Sequence, residues 1–143
     1  MNVENILRSK GGTVATIGPR ATIRDAAALL RRERIGALVI SGDGAKVDGI
    51  LSERDIVHGL ADRGAPLLDA TVEEMMTRRV FTCTPRDSVG DLMAMMTERR
   101  IRHIPVLKDG VLAGIVSIGD VVKHRLDEIE YEASSMRSFI AGA

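Results

Sequence analysis

At 143 residues the chain has the length of one ordinary domain, and a chain of that size buries about two-thirds of its unfolded surface, so a real core is available. Lysine plus arginine (20) balance aspartate plus glutamate (20), which leaves no net field to draw nucleic acid or an anionic membrane, and Phe81, Tyr131 and Phe139 are too few to stack single strands. No apolar run nears the ~20 residues of a membrane span, and Met1-Asn2-Val3-Glu4 lacks the character of a secretory leader, so the expected location is cytoplasmic.

The chain opens with a short helical lead-in, Val3 to Leu7, and a strand from Val14 to Ile17. After Gly18-Pro19, Thr22 caps a helix whose apolar positions are Ile23, Ala26, Ala27 and Leu30. A strand over Ile35 to Ile40, a turn at Ser41-Gly42-Asp43-Gly44 and a strand ending on Ser52 follow, and a helix starts there. The stretch Ala61 to Pro66 reads as a linker.

The same order then returns. Val72 to Met76 echoes the lead-in at an offset of 69 residues, and Val80 to Cys83 the first strand at 66. Ser88 caps a helix with apolar Val89, Leu92, Met93 and Met96, and Lys108-Asp109-Gly110 supplies the hairpin turn. Three extra residues around Lys10-Gly11-Gly12 absorb the difference in offset. Cys83, the single cysteine, sits in a strand-like run and reads as a buried, inert thiol, while Met75, Met76, Met93, Met95 and Met96 read as core filler. Beyond Asp120, residues Leu126, Ile129, Ala133, Met136 and Ile140 alternate spacings of three and four, a seam that wants either a partner helix or its own domain.

The most informative repeat is Gly49-Ile50-Leu51-Ser52-Glu53-Arg54-Asp55, restated as Gly114-Ile115-Val116-Ser117-Ile118-Gly119-Asp120 at an offset of 65. A buried strand that turns directly into a helix aims free N–H groups at whatever lies beyond it. A carboxylate accepts two hydrogen bonds and suits a vicinal diol, and a serine hydroxyl both donates and accepts. The same Ser-x-x-Asp spacing is also a helix capping box, and Thr22 to Asp25 and Ser88 to Asp91 are read as caps only. Gly36 and Ala37 leave room for a flat base, while Arg54 and Arg102 offer forked donors for phosphate. Lys10 is either a phosphate contact or a free surface lysine. Three histidines and one cysteine without tight spacing predict no metal site, and no nucleophile, base and orienting group occur together, so no catalytic residue is expected.

These segments together resemble a tandem pair of CBS domains, named after cystathionine beta-synthase and jointly called a Bateman module, of the stand-alone bacterial kind. The resemblance implies an α/β fold of two repeats, each β-α-β-β-α with a helical lead-in, packed pseudo-symmetrically with small mixed sheets and a C-terminal helix extension. Residues 1–64 would form the first repeat, and 65–143 the second with linker and terminal helix. It implies two clefts for an adenine nucleotide (AMP, ADP, ATP or NAD), no required metal, a homodimer, and a protein partner that reads the state. Asp55 and Asp120 would hold ribose with Ser52 and Ser117. Asp120 would share a cleft with Thr16, Ile35, Gly36 and Ala37, and Asp55 with Thr82, Thr84, Ile101 and Arg102. Ile50 and Ile115 would complete the base pockets, and Arg54, Arg102 and His103 would take phosphate. A dimeric interaction scaffold with empty clefts is the alternative.

Overall fold

A computed structural model describes residues 1–142. The first half contributes α1 (Val3–Lys10), β1 (Thr16–Ile17), α2 (Ile23–Glu33), β2 (Ala37–Ile40), β3 (Gly49–Ser52) and α3 (Glu53–Arg63). The second contributes α4 (Val72–Met75), α5 (Val89–Arg99), β4 (His103–Lys108), β5 (Val111–Ser117) and α6 (Ile118–Gly142). The expected caps form: Thr22 accepts the Asp25 N–H with a reciprocal bond, and Ser88 accepts the Asp91 N–H at 3.0 Å.

Strand β1 runs parallel to β2, across the crossover helix α2, and β2 pairs antiparallel with β3 in the register Ala37↔Ser52 to Ile40↔Gly49. Strands β4 and β5 form an antiparallel pair from His103↔Ser117 to Lys108↔Val111, turned at Asp109 and Gly110, both at positive φ. The expected third strand over Val80–Cys83 does not form; it shrinks to one parallel bridge between Cys83 and Val106. The cause is Pro105. In the first repeat Val39 N–H donates to Ala15 O and Ser41 N–H to Ile17 O; in the second, Leu107 N–H donates to Cys83 O, but Pro105 stands where Val39 does and has no N–H.

The predicted linker is likewise structured. Residues 61–63 belong to α3, and Ala65–Asp69 forms a 3-10 turn that buries Leu67. Met93 departs from its predicted core role and is 39% exposed on α5, whereas Met96 is buried. Cys83 is buried as expected, and burial pushes its thiol up to about 12.

Two hydrophobic cores result, and each takes its lead-in from the other half of the chain. Val3 and Ile6 of α1 pack with Leu92, Ile104, Val106 and Val116 of the second repeat. Leu67, Ala70 and Val72 pack with Ile23, Leu38, Ile40 and Leu51 of the first. Matching backbone bonds seal both exchanges: Val3 N–H to Asp87 O and Glu4 N–H to Pro85 O on one side, Val72 N–H to Ala21 O and Glu73 N–H to Pro19 O on the other.

Candidate functional site

At both strand-to-helix junctions the serine and aspartate lock together. Ser117 N–H donates to Asp120 Oδ2 at 2.9 Å while Asp120 N–H donates to Ser117 Oγ at 3.2 Å, and Ser52 and Asp55 repeat both distances. The capping reading is therefore correct geometrically, yet it occupies only one carboxylate oxygen. Oδ1 of each aspartate makes no hydrogen bond to the described residues and keeps its lone pairs for another donor.

Asp120, Ser117 and Ile115 from the second repeat meet Thr16, Ile35, Gly36 and Ala37 from the first around one cleft of about 630 Å³. These are residues that the family resemblance groups together. His103 enters the same cleft. Its ring lies over Gly36, where a Cβ would stand 3.3 Å from Cε1 and Nε2, so the room left by the missing side chain holds an imidazole. Burial lowers the His103 pKa below the ordinary 6.5; Glu53 and Asp120 oppose this, and Lys10 and Arg102 reinforce it. The ring is thus neutral at pH 7 and offers a hydrogen bond rather than a charge.

Lys10 is not a free surface lysine. Its Nζ donates to Asp120 Oδ2 at 2.6 Å and to Ile115 O at 2.8 Å, inside the same cleft, with 31% of its side chain exposed. Burial raises the Asp120 carboxyl, but the Lys10 ammonium and the Ser117 N–H outweigh it and hold the group below 3.8. Arg34, which also lines this cleft, ends α2 in the left-handed region at φ 54°. Sequence reasoning did not single it out; its position just before Ile35 was the available signal.

The second set of predicted residues is less tightly gathered. Asp55 caps α3, Ile50 bridges to Thr77, Ile101 N–H donates to Met96 O, and Thr84 N–H donates to Asp87 Oδ2 at 2.8 Å. Thr82 is half-buried. Arg54 and Arg102 are exposed, and neither forms an ion pair among the described residues. The two halves do share one frame around the pseudo-dyad: Glu53 N–H donates to Gly36 O, and Ile118 N–H to Arg102 O.

These features define a duplicated α/β module with exchanged lead-ins and a cleft walled by both repeats. The chain belongs to the CBS-domain family, whose sequence profile matches residues 3–62 and 72–127. A CBS-domain protein of Agrobacterium tumefaciens superposes with a TM-score of 0.84 at 44% identity, covering 87% of this chain and 99% of that one. A mitochondrial CBS-domain protein of Arabidopsis thaliana is 33% identical over 148 residues, 98% of this chain and 72% of the relative. A CBS-domain pair solved with 5′-methylthioadenosine and S-adenosylmethionine superposes with a TM-score of 0.79 at 28% identity, covering 90% of this chain and 98% of that one. Among the described residues no helix is long and apolar enough to cross a membrane, and no group of three His, Cys, Asp or Glu side chains could hold a metal ion.

Proposed function

We propose that the protein is a non-catalytic regulatory module that binds an adenine nucleotide, AMP, ADP, ATP or NAD, between its repeats and reports energy or redox state through a homodimer to a protein partner. The observation that carries this reading is the convergence of Asp120 and Ser117 from one repeat with Thr16, Ile35, Gly36 and Ala37 from the other. The free oxygen of Asp120 suits a ribose diol, and the apolar wall at Ile35 and Ala37 suits a purine. A ligand touching both repeats binds their closed arrangement better than an open one, which is all a switch requires. The adenosine compounds held by the related domain pair point the same way.

Asp55 with Ser52, Ile50, Thr82, Thr84 and Ile101 is proposed as the second, unequal cleft, with Arg54 and Arg102 on its phosphate side. A second reading, a dimeric scaffold with empty clefts, is favoured by the Lys10 contact that already occupies Asp120. Calorimetry on nucleotide-stripped protein separates the two. Nucleotide sensing predicts saturable heat with AMP, ATP or NAD, abolished in one cleft by Asp120→Ala and in the other by Asp55→Ala. No heat with any of the three overturns it in favour of the scaffold.

A further inference from the structure

The two halves of the module differ most where α1 ends. Helix α1 spans eight residues and its counterpart α4 only four, so α1 carries an added turn that ends on Lys10. Gly11 stops that turn at φ +91° with its N–H on Leu7 O, and Gly12 lies so close to β5 that a Cβ would stand 3.0 Å from Ala113 O. The equivalent carbonyls are then used differently. Ile50 O accepts the backbone N–H of Thr77 at 2.9 Å, whereas Ile115 O accepts the ammonium of Lys10 at 2.8 Å. One cleft is thus edged by a backbone bridge and the other by a cation.

That cation sits on the aspartate assigned above to ribose. Two of its three donors are engaged, on Ile115 O and Asp120 Oδ2, so a ribose diol taken by the free Asp120 Oδ1 leaves the third donor available in the cleft. A ligand that brings its own anion within reach of that donor takes a charge-assisted hydrogen bond from the ammonium. Arg34, lining the same cleft and without an ion pair among the described residues, adds to the positive side.

We propose that Lys10 is a specificity-determining residue that makes the Asp120 cleft select adenosine ligands bearing a 5′-phosphate over uncharged adenosine thioethers or cationic adenosyl sulfonium compounds. The inference rests on the proposed nucleotide function and adds the ligand class. A charge-assisted hydrogen bond contributes about 1.5 to 3 kcal/mol, which corresponds to roughly tenfold to a hundredfold in affinity.

The test is calorimetry on the full chain carrying Asp55→Ala, so that one cleft reports, with AMP and 5′-methylthioadenosine as probes; Asp55→Asn, which keeps an acceptor for the α3 cap, serves if the alanine variant melts early. With Lys10 present, AMP should bind at least tenfold more tightly than methylthioadenosine. Lys10→Met should weaken AMP by about tenfold or more and leave methylthioadenosine unchanged or tighter, and Lys10→Arg should restore the preference. An AMP to methylthioadenosine ratio that Lys10→Met leaves unaltered, or a preference for the thioether when Lys10 is present, overturns the assignment of Lys10 while leaving the nucleotide reading intact. Binding of neither probe in both backgrounds overturns the nucleotide reading of this cleft and the Lys10 proposal with it.

Discussion

Asp120 and Asp55 each close a helix cap with Oδ2 and leave Oδ1, the atom proposed above for ribose, without a hydrogen bond among the described residues. This explains why a capping box and a ligand-binding motif are indistinguishable in sequence, since the first prepares the second by fixing the carboxylate's orientation. His103 shows what burial does to a group read as a phosphate-facing cation. Facing Glu53, Lys10, Arg102 and Asp120, it stays neutral in the folded chain below the ordinary 6.5, while the unfolded chain takes up a proton near that value. Stability should therefore be constant above pH 7 and fall as the pH drops below 6.5, by at most about 1.4 kcal/mol per pH unit from this one ring. Thermal melts followed by circular dichroism from pH 8 to 5 should show this slope, and His103→Gln should flatten it. Asp120 acts in the same direction at lower pH: its depressed pKa contributes stability above pH 3.8 that is lost as the pH falls through the folded value.

At the level of elements, the glycine that opens each copy of the repeated motif answers to packing. A Cβ on Gly49 would lie 2.5 Å from Met76 Sδ and 3.0 Å from Thr77 O, and one on Gly114 would lie 2.5 Å from Leu7 Cδ2. Leu7 and Met76 are equivalent residues of the two lead-ins, so these glycines let the exchanged segments cross the strands. Gly49→Ala meets backbone as well as side chain and should destabilise the fold by about 1 to 3 kcal/mol, whereas Gly114→Ala meets the end of a leucine that can turn aside and should cost less. Urea unfolding of the two variants ranks them; an equal or reversed order contradicts the packing account. Pro105 acts at the same scale, since one missing N–H reduces a strand to a bridge.

For the molecule as a whole, exchange of the lead-ins means that neither core is complete within one half of the sequence, so the inter-repeat cleft is held from both sides. Helix α6 continues beyond this body, and Leu126, Ile129, Met136 and Ile140 remain 46–67% exposed. Of the two destinations open to that seam, its own domain does not cover it. A seam with a/d spacing and no cover among the described residues fits the proposed homodimer. Sedimentation equilibrium should find two chains at micromolar concentration, and the double variant Leu126→Glu, Ile129→Glu should sediment as one chain with its fold intact. A wild-type protein that sediments as a monomer defeats the dimer assignment.

How much of this was legible in the sequence follows from the range of each interaction. The duplication, the caps at Thr22 and Ser88, the strand-to-helix junctions at Ser52 and Ser117 and the mixed α/β repeats were all readable, because periodicity and capping chemistry act within a few residues. The grouping of Asp120 with Thr16, Ile35, Gly36 and Ala37 was reachable through the family resemblance. What only the tertiary structure decided involves contacts between distant parts of the chain. The Lys10–Asp120 pair spans 110 residues, the His103 ring fills the space over Gly36, and each lead-in lies on the opposite core. No local pattern specifies which of several exposed cations reaches a given carboxylate; that depends on where an added turn of α1 places one ammonium once both cores have closed.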